Sequence, residues 1–242
     1  MSNIHIKQAY LRYDQETIFS DLHLKLPAGK WISLLGQSGV GKSSLLKYIA
    51  NILAEKNTHM SGQVAADDNS EVLKNIAYLP QEDALLPWLS VIDNVLLGAR
   101  LRGEVADVEK ATHLLKEVGL GDMLKKRPAQ LSGGQRQRVA LVRTLLEDKD
   151  LVLMDEPFAA LDVITRIKLQ TLAGQLLKHK TVLLVTHDPL EALRLSDIIY
   201  VLSGKPARLS APIIPDHPAP RDVSDPEVLA WQAKLLKELT GE

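Results

Sequence analysis

Trp31-Ile32-Ser33-Leu34-Leu35-Gly36-Gln37-Ser38-Gly39-Val40-Gly41-Lys42-Ser43 is the stretch that decides the fold. A short apolar run enters a glycine-rich turn, and the turn opens a helical pattern from Ser43 to Leu53. An unbroken apolar run of that length reads as a strand buried on both faces, as in a parallel sheet. In the turn, Gly36, Gly39 and Gly41 let the backbone curl so that several N–H groups face one phosphate chain. The helix that follows adds its positive N-terminus. Lys42 is placed to reach the outer phosphates, and the Ser43 hydroxyl to ligate Mg²⁺. The bland alternative is a glycine turn without a ligand, but the strand before it and the helix after it are the context that the phosphate-binding pattern requires.

Two further apolar runs repeat the plan. Leu151-Val152-Leu153-Met154 runs into Asp155-Glu156, and Thr181-Val182-Leu183-Leu184-Val185-Thr186 runs into His187. Polar residues at strand ends match the rule that ligands of open α/β sheets sit at the carboxyl ends of the strands. Adjacent carboxylates beside a packed core are costly without a cation or a shared proton. Mg²⁺ at Asp155 resolves that, and leaves Glu156 to orient or deprotonate an attacking water as general base. A solvated pair at a strand end is the alternative reading. A lone histidine is usually structural. At a strand end, His187 is instead a candidate contact to the γ-phosphate or the attacking water. His5, His23, His59, His113, His179 and His217 have no such context and read as surface or packing residues.

Leu131-Ser132-Gly133-Gly134-Gln135 is a second glycine-rich turn that opens a helix, with Val139, Val142, Leu145 and Leu146 marking a buried face. A serine near a helix start is most often an N-cap. The two glycines after it add bare N–H groups, which make a second anion site. Two places on one chain that hold the same triphosphate point to an assembly of two chains.

The 242 residues suffice for one α/β domain with lobes. Hydrophobic residues make up 45% and charged residues 24%, as in a soluble globular protein. The net charge of -1 provides no overall basic field for nucleic acid or anionic lipid. There is no cysteine, which excludes disulfides, cysteine-zinc sites and thiol nucleophiles and permits a reducing compartment. No secretory signal pattern is visible, and no apolar stretch approaches the roughly 20 residues that cross a bilayer. A role at a membrane therefore calls for another chain to supply the span.

Ile4, Ile6, Leu22, Leu24 and Leu26 mark the inward face of antiparallel strands in the first thirty residues. Residues 85 to 146 read as mainly helical, with breaks at Gly103, Gly119, Gly121 and Pro128. A helix over Arg166 to Lys178 carries Leu169, Leu172, Ala173 and Leu176 at helical spacing. After a proline-rich tail from Pro206 to Pro220, Ser224 and Glu227 are spaced as a capping box with Pro226 in the first turn. Leu229, Leu235, Leu236 and Leu239 are the residues expected to dock that last helix.

On these motifs the chain resembles the ATP-binding subunits of ABC transporters over residues 1 to about 205. The motifs occur in the family's order. The P-loop is Gly36 to Ser43, the Q-loop glutamine is Gln81 in Tyr78-Leu79-Pro80-Gln81, and the signature motif is Leu131 to Gln135, followed by Arg136-Gln137-Arg138. The Walker B strand is Leu151 to Asp155, the D-loop is Ala159-Ala160-Leu161-Asp162, and the switch histidine is His187. Departures are small: Ala159 stands where serine is common, and Ala65 to Ser70 is polar where a strand ending in Asp-Gly is usual.

The resemblance implies an α/β P-loop NTPase fold, with a RecA-like core around a parallel sheet, an antiparallel β lobe and an inserted helical lobe. One domain over 1-242 is expected: 1-84 and 147-205 for the core with its β lobe, 85-146 for the helical lobe, 206-242 for the tail. ATP and Mg²⁺ are the implied cofactors. Catalysis falls to Glu156, His187, Gln81 and Lys42. Nucleotide contacts fall to Tyr13, which stacks on adenine, to Gly36, Gln37, Ser38, Gly39, Val40, Gly41, Lys42, Ser43 and Ser44, and to Ser132, Gly133, Gly134, Gln135 and Asp162. Ser43, Gln81 and Asp155 fall to the metal.

The resemblance also implies a head-to-tail homodimer with two ATPs at the interface. It would drive transmembrane permease subunits from the cytoplasmic face of the inner membrane, as a peripheral protein served indirectly by a substrate-binding protein and without nucleic acid. Leu86-Pro87-Trp88-Leu89-Ser90-Val91, Asp93-Asn94-Val95, Leu161-Asp162 and Thr165-Arg166 look like the importer group for nitrate, sulfonates, taurine and thiamine precursors. Leu85-Leu86-Pro87-Trp88 would then anchor the permease, or else pack into the helical lobe. A soluble ABC ATPase outside transport is the competing reading; its long coiled-coil insertions or paired cassettes are absent here.

Overall fold

The computed structural model describes residues 2–53 and 57–240. In chain order the elements are β1 (Ile4–Tyr13), β2 (Glu16–Leu26), β3 (Trp31–Leu35), α1 (Lys42–Ile49), β4 (Thr58–Ala66), β5 (Ile76–Leu79), α2 (Val91–Val95), α3 (Leu97–Leu101), α4 (Val108–Glu117) and α5 (Gly133–Leu146). They continue with β6 (Leu151–Asp155), α6 (Val163–Leu176), β7 (Thr181–Thr186), α7 (Pro189–Leu195), β8 (Ile198–Ser203), β9 (Arg208–Leu209) and α8 (Pro226–Thr240). The chain divides into two compact units: Met1–Ile76 with Asp150–Asp155 and Lys178–Glu242, and Ala77–Lys149 with Glu156–Leu177.

In the first unit, β3 pairs with β7 and β8, and β6 with β7, all parallel, while β9 runs antiparallel to β8. Every residue of β3, β6 and β7 is buried, which is why these strands read as unbroken apolar runs. A separate antiparallel sheet has the order β2-β1-β4. Its inward face carries Ile4, Ile6, Leu22, Leu24 and Leu26, all buried, as the alternation predicts. Strand β4 is not announced by such alternation, because the five residues from His59 to Gln63 all face solvent and only Ala66 is buried.

The last helix docks on this unit, with Val228 and Leu235 in one apolar cluster with Leu35, Ala192, Leu193, Ile199 and Val201. Arg221 anchors the segment before it. Buried, it donates to the carbonyls of Leu193 and Ser196 at 2.6 and 2.8 Å, and burial pushes its guanidinium below the ordinary value. Two expectations are corrected here. Asp225, not Ser224, caps α8, accepting from Glu227 N at 2.9 Å, while Ser224 is bonded to Asp222. Leu229 and Leu236 are exposed at 48% and 46%, since only one stripe of a helix can face its support.

In the second unit, α5 packs against α2 and α4. Helix α6 starts at Val163, three residues before the expected Arg166, because Asp162 caps it. Leu169 and Ala173 are buried but Leu176 is 42% exposed, and Leu177 takes the inward position. No helix among the described residues is long and apolar enough to cross a membrane.

Candidate functional site

The parallel register gathers the strand ends of the first unit. Leu35 pairs with Thr186 and Asp155 with Val185, so the entry to Gly36, the carboxylate of Asp155 and the turn at His187 lie along one edge of adjacent strands. Gly36 approaches the neighbouring strand closely: a Cβ there would lie 2.5 Å from the Leu202 carbonyl oxygen. Gly41 holds φ at 109° and faces Ile18, whose Cγ2 would lie 2.6 Å from a Cβ, so both conformation and space demand glycine. Gly41 caps α1 without any side-chain acceptor, and the first turn of α1 holds no acidic residue. The helix start therefore lacks a side-chain cap of its own, and its positive end would suit an external anion.

Lys42 is 5% exposed, and its Nζ donates to the carbonyls of Gly36 and Gln37 at 2.8 and 2.9 Å. The ammonium is folded into the turn it would share with phosphates. Ser43 and Ser44 are half-buried in the first turn of α1, which packs on β6. Asp155, 2% exposed, ends β6. A hydroxyl and a carboxylate are hard oxygen donors of the kind Mg²⁺ prefers. His187 is exposed between β7 and α7; next to it, Asp188 caps α7 by accepting from Leu190 N at 2.9 Å. Tyr13 ends β1, half-buried and paired across the hairpin with Glu16.

The remaining candidates lie in the second unit. Ser132 caps α5: its Oγ accepts from Gln135 N at 3.3 Å, and Gln135 Oε1 accepts from Ser132 N at 2.8 Å. This capping box leaves Gly133 and Gly134 as the first helical residues. Asp162 is exposed at the start of α6, and the Thr165 amide, then its hydroxyl, hold its carboxyl below the usual range. Gln81 is exposed in the turn after β5. Leu85 is buried and Leu86 half-buried, whereas Trp88 is 66% exposed, so of the three expected anchors the tryptophan is the one that faces solvent.

Two arginines hold the turn after Gln81: Arg136, which directly follows the signature motif, and Arg143, which no motif singles out. Arg136 Nε donates to Asp83 Oδ2 at 2.8 Å and its Nη1 to the Leu131 carbonyl at 3.0 Å. Arg143 donates to the carbonyls of Asp83 and Ala84 at 2.9 Å each, and burial pushes its guanidinium below the ordinary value. Their spacing, two helical turns apart on one face, is the signal that pairs them.

The ABC transporter family model matches residues 19–159. The chain is 48% identical over 244 residues to an ABC transporter ATP-binding protein of Haemophilus influenzae, covering 99% of each. It is 43% identical over 230 residues to the aliphatic sulfonates import ATP-binding protein SsuB 1 of Rhodococcus jostii, covering 94% of this chain and 89% of the relative. Among solved structures, a dimeric post-hydrolysis state of the ATP-binding cassette MJ0796 bound to ADP and Pi superposes with a TM-score of 0.76 at 28% identity. That match covers 87% of this chain and 98% of the other.

Proposed function

The chain belongs to the ABC transporter family as an ATP-binding, ATP-hydrolysing member, and from that premise we propose that it is the ATPase subunit of an importer. Two copies pair head to tail on the cytoplasmic face of the inner membrane and drive separate permease subunits that carry a small solute. The observation that carries this reading is the shared strand edge that holds the Gly36–Ser43 turn, Asp155 and His187. The named sulfonate-import relatives favour a sulfonate over nitrate or a thiamine precursor. Exposed Trp88, Leu101 and Val105 in the second unit supply apolar anchors for the permease.

Each copy then supplies half of a site. Tyr13 stacks on the base, the Gly36–Ser44 turn and Lys42 grip the phosphates, and Ser132–Gln135 of the second copy closes over them with Asp162. Ser43, Asp155 and Gln81 would hold Mg²⁺, which would supply charge neutralisation at the outer phosphates. Glu156 takes the proton of the attacking water, and His187 holds the γ-phosphate.

Glu156→Gln is the test. Phosphate release should fall by about 10²- to 10⁴-fold, while ATP still binds and a closed dimer accumulates in light scattering. A monomer that hydrolyses ATP normally would refute the assignment. Co-purification with a polytopic membrane protein checks the transport role, and its failure leaves the soluble ATPase reading.

A further inference from the structure

Glu156 holds a backbone conformation that its sequence opposes. Its φ is 48°, in the left-handed region that L residues avoid. Pro157 follows it, and a residue before proline is steered towards extended backbone. Such a residue persists only where its surroundings over-determine it.

Gln137, on the second turn of α5, supplies that constraint. Its Nε2 donates to the Glu156 carbonyl at 3.0 Å, and its Oε1 accepts from Ala160 N at 3.1 Å. One amide side chain thus ties both ends of the turn between Glu156 and Ala160. Ala159 N donates to the same Glu156 carbonyl at 3.3 Å, across the turn. Gln137 is 9% exposed, so these bonds are shielded from competing water. The first turn of α5 presses on the same segment: a Cβ on Gly134 would lie 3.1 Å from the Ala160 carbonyl oxygen and 3.4 Å from Leu161 Cδ2.

We propose that Gln137 is a positioning residue for hydrolysis: it fixes the strained backbone of Glu156, and so the aim of its carboxylate, and joins that aim to the helix opened by the signature turn. The proposal rests on the reading of Glu156 as general base. A base acts only within hydrogen-bond reach of the proton it takes. Release of the carbonyl lets φ relax and swings the carboxylate, while the phosphate-gripping turn belongs to other residues. Turnover is therefore affected, and nucleotide affinity is not.

Gln137→Ala and Gln137→Met test this, the second because it keeps side-chain length and removes both hydrogen bonds. Steady-state hydrolysis, ATP affinity and thermal melting are measured for each, and single-turnover hydrolysis of radiolabelled ATP in the Glu156→Gln background. The expected result is a fall of about tenfold in kcat, with KM and ATP affinity within about twofold, in whichever variant melts cooperatively. In the Glu156→Gln background the same substitutions should cause no further fall, because no base remains to be aimed. Wild-type kcat in a cooperatively melting variant overturns the proposal alone. An equal fall in the Glu156→Gln background also overturns it and assigns Gln137 to scaffolding. If Glu156→Gln itself hydrolyses at the wild-type rate, the base reading falls and the proposal with it.

Discussion

The two glycine-rich turns, Gly36 to Ser43 and Leu131 to Gln135, look alike in sequence and differ in physics. The first opens α1 with no side-chain cap, a left-handed Gly41 and a lysine folded into the loop. The second opens α5 with a complete capping box, in which Ser132 and Gln135 satisfy each other's backbone amides. An uncapped helix start leaves its N–H groups to a ligand, whereas a capped one is already stable without it. The first turn thus leaves its helix start to an external acceptor, whereas the second is a finished helix end that presents Gly133, Gly134 and a hydroxyl. Glycine serves geometry in the first turn and access in the second.

Three substitutions bear on that contrast. The largest effect is expected at Lys42. Lys42→Ala should weaken ATP binding by about 10- to 100-fold, the value of a charge-assisted hydrogen bond, in equilibrium dialysis. Unchanged affinity would remove the phosphate-gripping role and with it the asymmetry between the turns. Next comes Gly41→Ala, which meets both a φ of 109° and Ile18 Cγ2 at 2.6 Å. A loss of about 2 kcal/mol is expected, read as a fall of about 4–8 °C in Tm. The smallest effect should have the opposite sign. Gly133 is helical, and a Cβ there meets nothing nearer than an Arg136 guanidinium nitrogen at 3.9 Å. Gly133→Ala should therefore raise stability by up to about 1 kcal/mol in the same melt. Equal losses at Gly41 and Gly133 would show that both turns need glycine for backbone reasons.

The contrast also shows what a sequence displays and what it hides. The buried strands β3, β6 and β7 were legible because burial on both faces writes itself as an unbroken apolar run. The polar residues at their ends were legible for the same reason, since Asp155 and His187 interrupt the pattern. Strand β4 was not, because its side chains are mostly exposed and its pairing with β1 runs through the backbone. The cap of α8 was misplaced by one residue because Ser224 and Asp225 are both good caps, and the choice turns on which side chain Asp222 already holds. Gln137 gave only a faint sign, a glutamine on the same buried stripe as Leu141 and Thr144. Its partners lie about twenty positions away, in a turn whose conformation periodicity does not encode.

The docked last helix carries a consequence for handling the protein. Gln37 Nε2 donates to the Leu239 carbonyl at 3.0 Å across 202 positions of chain. Leu35, the residue that delivers the chain into the same turn, shares its apolar cluster with Val228 and Leu235. Helix α8 is thus a direct neighbour of the glycine-rich turn at Gln37. A purification tag or a truncation that frays the last turn of α8 is felt first at Gln37, so an affinity measured on such a protein reports the fusion as well as the loop.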